Sequence, residues 1–148
     1  MSTQVVVVGS GYAGAGAIKR LENELDAGVD LTWVSDQDYH LVLHEAHRCI
    51  RDPSVESKIT IPVDDIKSPS TEFVTGRVTD VDVDDRVVEL EHDEIGYDYL
   101  LLGIGSGTAF FGIDGLQEHA HELKSLDDVR AIHADVETAA EAASRDDP

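Results

Sequence analysis

The sequence predicts an α/β fold, a parallel sheet with a helical crossover and an inserted β-hairpin. Three observations carry it. Gln4–Val8 is a continuous, mostly β-branched run, the pattern of a strand buried on both faces. The glycine-rich loop Gly9-Ser10-Gly11-Tyr12-Ala13-Gly14 follows, and behind it Ala17, Ile18, Leu21 and Leu25 recur at helical spacing. Val29–Val34 is a second buried run. It closes a βαβ unit of about 30 residues, with a parallel strand pair and a right-handed crossover expected.

The first helix is expected over residues 15–27, with Gly28 as its C-cap glycine. Trp33, inside the second strand, is a core residue. Residues 38–52 read as a short helix or irregular segment closed by Asp52-Pro53. Residues 59–63 are extended, and 63–66 suit a turn of helix. Residues 73–84 alternate as one strand through Phe73, Val74, Val78, Val81 and Val83. Asp84-Asp85 turns the chain, and residues 86–91 return with Val87, Val88 and Leu90, completing a hairpin. Residues 97–104 form another buried strand, running into Gly103-Ile104-Gly105-Ser106-Gly107. A last helix is expected over 125–143. Ser125 and Asp128 form its capping box, and Leu126, Val129, Ile132 and Val136 its buried stripe. Residues 144–148 read as a linker or frayed end.

Composition narrows the function classes. The 148 residues are 41% hydrophobic, enough for one domain with a real core. No apolar run reaches the roughly 18 to 20 residues of a membrane helix. Met1–Gly9 runs straight into a strand with no basic segment or cleavage site, so no export signal is read. The one cysteine, Cys49, rules out an internal disulfide and a CxxC pair, and points to a reducing cytoplasm. Arg48 and Arg51 flank it as cations that lower a thiol pKa, but a buried, idle thiol is the favoured reading. Thirty-one acidic residues against eleven basic ones give a net charge of −20. That surface repels nucleic acid and anionic lipid, and its self-repulsion, screened by salt, points to a halophilic source. His40, His44 and His47 do not match the His-Glu-x-x-His zinc pattern, and no EF-hand loop is present, so no metal site is expected.

The glycine loop suggests dinucleotide chemistry. The first glycine turns the chain sharply, the second lets backbone approach a pyrophosphate, and the third packs helix on strand. The helix N-terminus then offers amide donors and partial positive charge where lysines are scarce. Gly9, Ser10, Gly11, Tyr12, Ala13 and Gly14 are therefore candidate binding residues. The acid that binds ribose is due about 20 residues on. Ser35 occupies that position, and Asp36, one residue late, is the candidate acid.

The order of elements after residue 36 resembles the FAD-binding half of the type II NADH dehydrogenases and their disulfide-oxidoreductase relatives. The likeness rests on residues 5–14, Asp38-Tyr39-His40-Leu41, Ile61-Pro62-Val63, residues 76–82 and 97–106, and Phe111-Gly112-Ile113-Asp114-Gly115. It implies a Rossmann-like FAD-binding domain over 1–115, and a connecting segment and helix over 116–148 leading to an absent NADH-binding domain. It further implies FAD bound through the first loop, with Arg77 and Val78 at the adenine and Gly103, Gly105 and Ser106 at the pyrophosphate and flavin. NADH would bind in the missing half, and electrons would pass to an acceptor such as a quinone. Peripheral membrane association of the longer protein and self-association of this piece are expected with it. The histidines are then flavin-facing or on the surface. The absence of a cysteine pair separates the chain from the disulfide reductases, and one cysteine is too few for a sulfide:quinone oxidoreductase. The alternative is a non-enzymatic NAD-binding regulatory domain of the potassium-transport type, which the hairpin at 73–91 disfavours.

Overall fold

Branching at Cβ favours extended backbone, and the two β-branched runs are strands in the computed structural model of the chain, which describes residues 2–146. In chain order, β1 (Thr3–Val8), α1 (Tyr12–Glu24) and β2 (Val29–Ser35) come first. β3 (Tyr39–Leu41), α2 (His47–Arg51), α3 (Glu56–Ile59) and β4 (Thr60–Pro62) follow, joined by short 3-10 turns. Next are β5 (Glu72–Thr75), β6 (Val78–Asp82), β7 (Val87–Leu90), β8 (Glu94–Gly96) and β9 (Tyr99–Leu102). α4 (Leu116–His119) and α5 (Leu126–Asp146) complete the set.

The chain forms two compact units. The first is the chain up to His40 together with Ile61–Ser106; the second is Leu41–Thr60 together with the chain from Gly107 onward. In the first unit a parallel sheet has the strand order β5-β2-β1-β9. Val8 pairs with Val34 on one side and Leu102 on the other, and Ser35 pairs with Thr75. All four strands therefore end at one edge of the sheet, where an open α/β sheet collects its ligands.

Both faces of that sheet are covered, which is why β1 is apolar at every position from Val5 to Val8. Val5, Val7, Leu31 and Trp33 pack with Ala15 and Ile18 of α1. Val6, Val8 and Val34 pack on the other face with Val88, backed by Val78, Val81, Leu90 and Ile95. Each fully buried valine or isoleucine here contributes about 1.5–3 kcal/mol.

The second layer corrects the reading of residues 73–84 as one strand. β5 belongs to the parallel sheet, whereas β6 pairs antiparallel with β7, and β7 with β8, in a separate three-stranded sheet. The break falls at Gly76, where an added β-carbon would strike the Leu90 side chain. The expected hairpin is β6–β7, and β8 extends it.

Three further expectations change. α1 ends at Glu24, with Leu25 extended, so Gly28 is not its cap; with φ +114° it sits in the turn before β2. The strand expected over 97–104 is the shorter β9, and it lies at the sheet edge, with Tyr99 66% and Leu102 52% exposed. In α5, Leu126 and Val129 are buried, but Val136 is 51% exposed, so the buried stripe stops short of it. The capping box forms as expected: the Ser125 amide donates to Asp128 Oδ2 at 2.8 Å, and the Asp128 amide to Ser125 Oγ at 3.1 Å.

In the second unit, α5 packs on α2. His133 Nδ1 bonds the Ile50 carbonyl at 2.9 Å, and Arg130 forks onto Glu56, with Nε to Oε2 at 3.1 Å.

A prediction follows from the acidic balance. Repulsion across a −20 surface is screened by salt. The urea midpoint should rise steadily from 0.05 to 2 M KCl, adding more than about 1 kcal/mol of stability. A midpoint flat in KCl would remove the argument for a halophilic source.

Candidate functional site

Residues 9–14 carry the chain from the end of β1 to the start of α1. Gly9 has φ +99°, a left-handed conformation that a side chain disfavours. Its amide donates to the Val34 carbonyl at 2.7 Å, and its carbonyl accepts from the Trp33 indole at 2.9 Å. A β-carbon on Gly9 would strike the Gly103 carbonyl, and one on Gly14 would strike the Gly9 carbonyl. A β-carbon on Gly103 would stand 3.0 Å from the Gly14 amide nitrogen and from the Val8 carbonyl oxygen. These three glycines let β1, α1 and the end of β9 approach backbone to backbone.

Gly11 has a different role. Its φ of −70° suits any residue, and an added β-carbon would meet nothing within 4 Å. Its missing side chain leaves open room beside the loop. Gly11 is also the N-cap of α1, with no side-chain cap bond and no acid in the first turn. The first-turn amides of a helix have no intrahelical partner and carry the positive end of its dipole. Tight packing behind the loop and free space before it fit a dinucleotide pyrophosphate, the role assigned from the sequence.

Ser10 is held from two directions. The Ser35 hydroxyl donates to Ser10 Oγ at 2.9 Å, and Ser35 Oγ accepts from the Gln37 amide at 3.3 Å. His40 Nδ1 bonds the Ser10 carbonyl at 2.8 Å. The His40 ring also meets Tyr12 edge-on, with centroids 4.8 Å apart at 81°. His40 is 7% exposed. It is thus not a surface histidine, and spacing alone gave no sign of its contact with the loop.

The other sequence-derived candidates lie in the same unit. Ser35 is buried beneath the loop, so its hydroxyl is committed to Ser10 and Gln37, while Asp36 is exposed just past the end of β2. Arg77 is exposed between β5 and β6, and its carbonyl accepts from the Glu91 amide at 3.1 Å. Val78 opens β6 half-buried and packs in the apolar layer. Gly103 is buried behind Gly9, and Gly105, at φ +72°, and Ser106 are exposed beyond it. Of the remaining histidines, His44 and His47 are exposed. Among the described residues no group of three or more His, Cys, Asp or Glu is placed to hold a metal. Cys49 is buried and free. Burial pushes its thiol up, helped by the Glu56 and Asp52 carboxylates and opposed by Arg48, so the flanking cations do not activate it.

The family model for pyridine nucleotide-disulphide oxidoreductases matches residues 3–141. The chain belongs to this family. The type II NADH:quinone oxidoreductase of Staphylococcus haemolyticus is 28% identical over 136 residues, covering 90% of this chain and 34% of that protein. The Staphylococcus aureus protein of the same name (strain COL) is 26% identical over the same length and coverage. The chain therefore spans about a third of the length of the curated relatives it matches. Among solved structures, the sulfide:quinone oxidoreductase of Aquifex aeolicus superposes with a TM-score of 0.79 at 21% identity, covering 93% of this chain and 32% of that one. NDH2 of Plasmodium falciparum in complex with NADH gives 0.76 at 20% identity, covering 90% and 28%. At such identities these structures show the fold: this family member has the Rossmann-like α/β architecture expected from the sequence.

Proposed function

We propose that this chain is the FAD-binding part of an NAD(P)H-dependent flavin oxidoreductase that passes electrons from NADH to an acceptor such as a quinone. The observation that carries the reading is the glycine arrangement at the carboxyl edge of the sheet. Gly9, Gly14 and Gly103 leave no room for side chains behind the loop, and Gly11 leaves room before it. Membership of the family, and relatives named as NADH:quinone oxidoreductases, support the choice of reaction.

In this reading, the loop from Gly9 to Gly14, with Ser10, Tyr12 and Ala13, holds the pyrophosphate through backbone donors and the α1 dipole. Asp36 accepts from ribose hydroxyls, and Arg77 and Val78 flank the adenine. Gly103, Gly105 and Ser106 line the path toward the flavin. Bound FAD supplies hydride acceptance and electron transfer, and the protein binds and orients it. Residues 1–115 carry the FAD site and 116–148 lead onward, with NADH bound outside this chain. No described helix is long and apolar enough to cross a membrane. A cytoplasmic protein meeting a membrane quinone at its surface is consistent with that.

Titrating the chain with FAD and, separately, with NADH tests the proposal, read by flavin fluorescence and calorimetry. FAD should bind one to one and NADH should not compete for it. Binding of NADH alone would overturn the reading in favour of an NAD-sensing regulatory domain.

A further inference from the structure

The two contacts on Ser10 come from different strands and fix different atoms. Its carbonyl can only accept, so the Nδ1 that meets it carries a proton and donates. On the side chain, donors run in one direction: the Gln37 amide to Ser35 Oγ, then the Ser35 hydroxyl to Ser10 Oγ. A hydroxyl has one proton and two acceptor sites. Ser10 Oγ accepts from Ser35, so its own proton is the donor end of the chain. Aligned hydrogen bonds polarise one another, which strengthens that terminal donor. Both contacts are buried, where solvent does not compete. Tyr12, on the first turn of α1, packs against the same histidine, so one ring touches the loop at residues 10 and 12.

We propose that Ser35 and His40 are positioning residues that clamp Ser10, setting the loop and aiming the Ser10 hydroxyl proton at a dinucleotide pyrophosphate. This rests on the FAD reading above and adds roles that the glycine pattern does not contain. Ser35, which stands where an acid would bind ribose, then acts through Ser10 and not on the ligand. His40 acts on the backbone of the loop through Nδ1 alone.

The test is FAD affinity across a small set of variants. Asparagine can place an amide N–H where His40 Nδ1–H stands; glutamine places it farther out. His40→Asn should bind FAD within about threefold of the parent, and His40→Gln about tenfold more weakly. Ser35→Ala and Ser10→Ala should each weaken binding about tenfold, and the double variant no further than Ser10→Ala alone, because one acts through the other. Equal affinities for the asparagine and glutamine variants, or additive losses at Ser10 and Ser35, would overturn the clamp. If the parent chain binds no FAD, the functional reading fails on its own. The clamp is then judged by hydrogen exchange of the Ala15 amide, which closes the loop onto the Gly11 carbonyl at 2.9 Å. Protection kept in His40→Asn and lost in His40→Gln supports it; the same protection in both refutes it.

Discussion

Gly14→Ala is expected to cost both stability and nucleotide binding, whereas Gly11→Ala should cost binding alone. A β-carbon at residue 14 overlaps the Gly9 carbonyl oxygen, a backbone atom that cannot swing aside. The same carbonyl accepts from the Trp33 indole, so moving it breaks a second contact. Displacing packed backbone costs about 2–4 kcal/mol, a large share of a small domain's total. At residue 11 the added methyl meets nothing, and the backbone angle is ordinary. Alanine is a poorer N-cap than glycine but loses less chain entropy on folding, so the net change should stay within about 0.5 kcal/mol. In the proposed reading, that methyl occupies the side from which the FAD pyrophosphate approaches. FAD affinity should therefore fall about a hundredfold, the loss expected when a backbone donor can no longer reach a charged acceptor. Urea unfolding and FAD titration on both variants decide the matter. Unchanged affinity in Gly11→Ala would show that the ligand does not meet the loop at this face.

Much of the fold was legible because its signals are local. β1, the loop, α1 and β2 follow from residue type and spacing within about 30 positions. The limits appear where register between distant segments decides. Apolar residues recur at Phe73, Val74, Val78, Val81 and Val83, but the period breaks between Val74 and Val78 and changes phase between Val78 and Val81, so reading one strand across them passes over the point where the chain leaves one sheet and joins another. The physical signal was Gly76, whose missing side chain makes room for Leu90, a residue fourteen positions on. β8 is three residues long and polar at its start, too short for a pattern. Val136 continues an apolar stripe past the point where α5 is buried, so helical spacing overstated the core.

The site divides in the same way. Glycines were readable because a tight turn and a close approach have few other solutions. The hydrogen bonds on Ser10 were not, since Ser35 and His40 lie 25 and 30 residues away, Ser35 brought to it by the pairing of β1 with β2 and His40 by β3, which pairs with β4 outside that sheet. Ser35 itself is an anomaly, a serine in the place of an acid. Its buried partner explains the anomaly: at the β1–β2 register the side chain faces the loop, and a carboxylate there would be buried beside a hydroxyl without a charge partner.

The other large effect should come from Trp33, which joins core and loop. It is fully buried, edge-on to Phe73 with centroids 5.7 Å apart, and its indole N–H holds the Gly9 carbonyl at 2.9 Å. Trp33→Ala removes the packing and the hydrogen bond together and should cost about 3–5 kcal/mol. Trp33→Phe keeps an aromatic ring but leaves the carbonyl without its donor and a small void beside it, for about 1–3 kcal/mol. Only the second variant is expected to fold well enough to assay, and there the loss should reach the loop. With Gly9 unanchored, FAD binding should weaken alongside stability, although the residue is buried behind the loop. Because Trp33 is the chain's single tryptophan, unfolding is best followed by circular dichroism. A Trp33→Phe protein as stable as the parent, with FAD affinity intact, would show that the loop holds its shape without the indole.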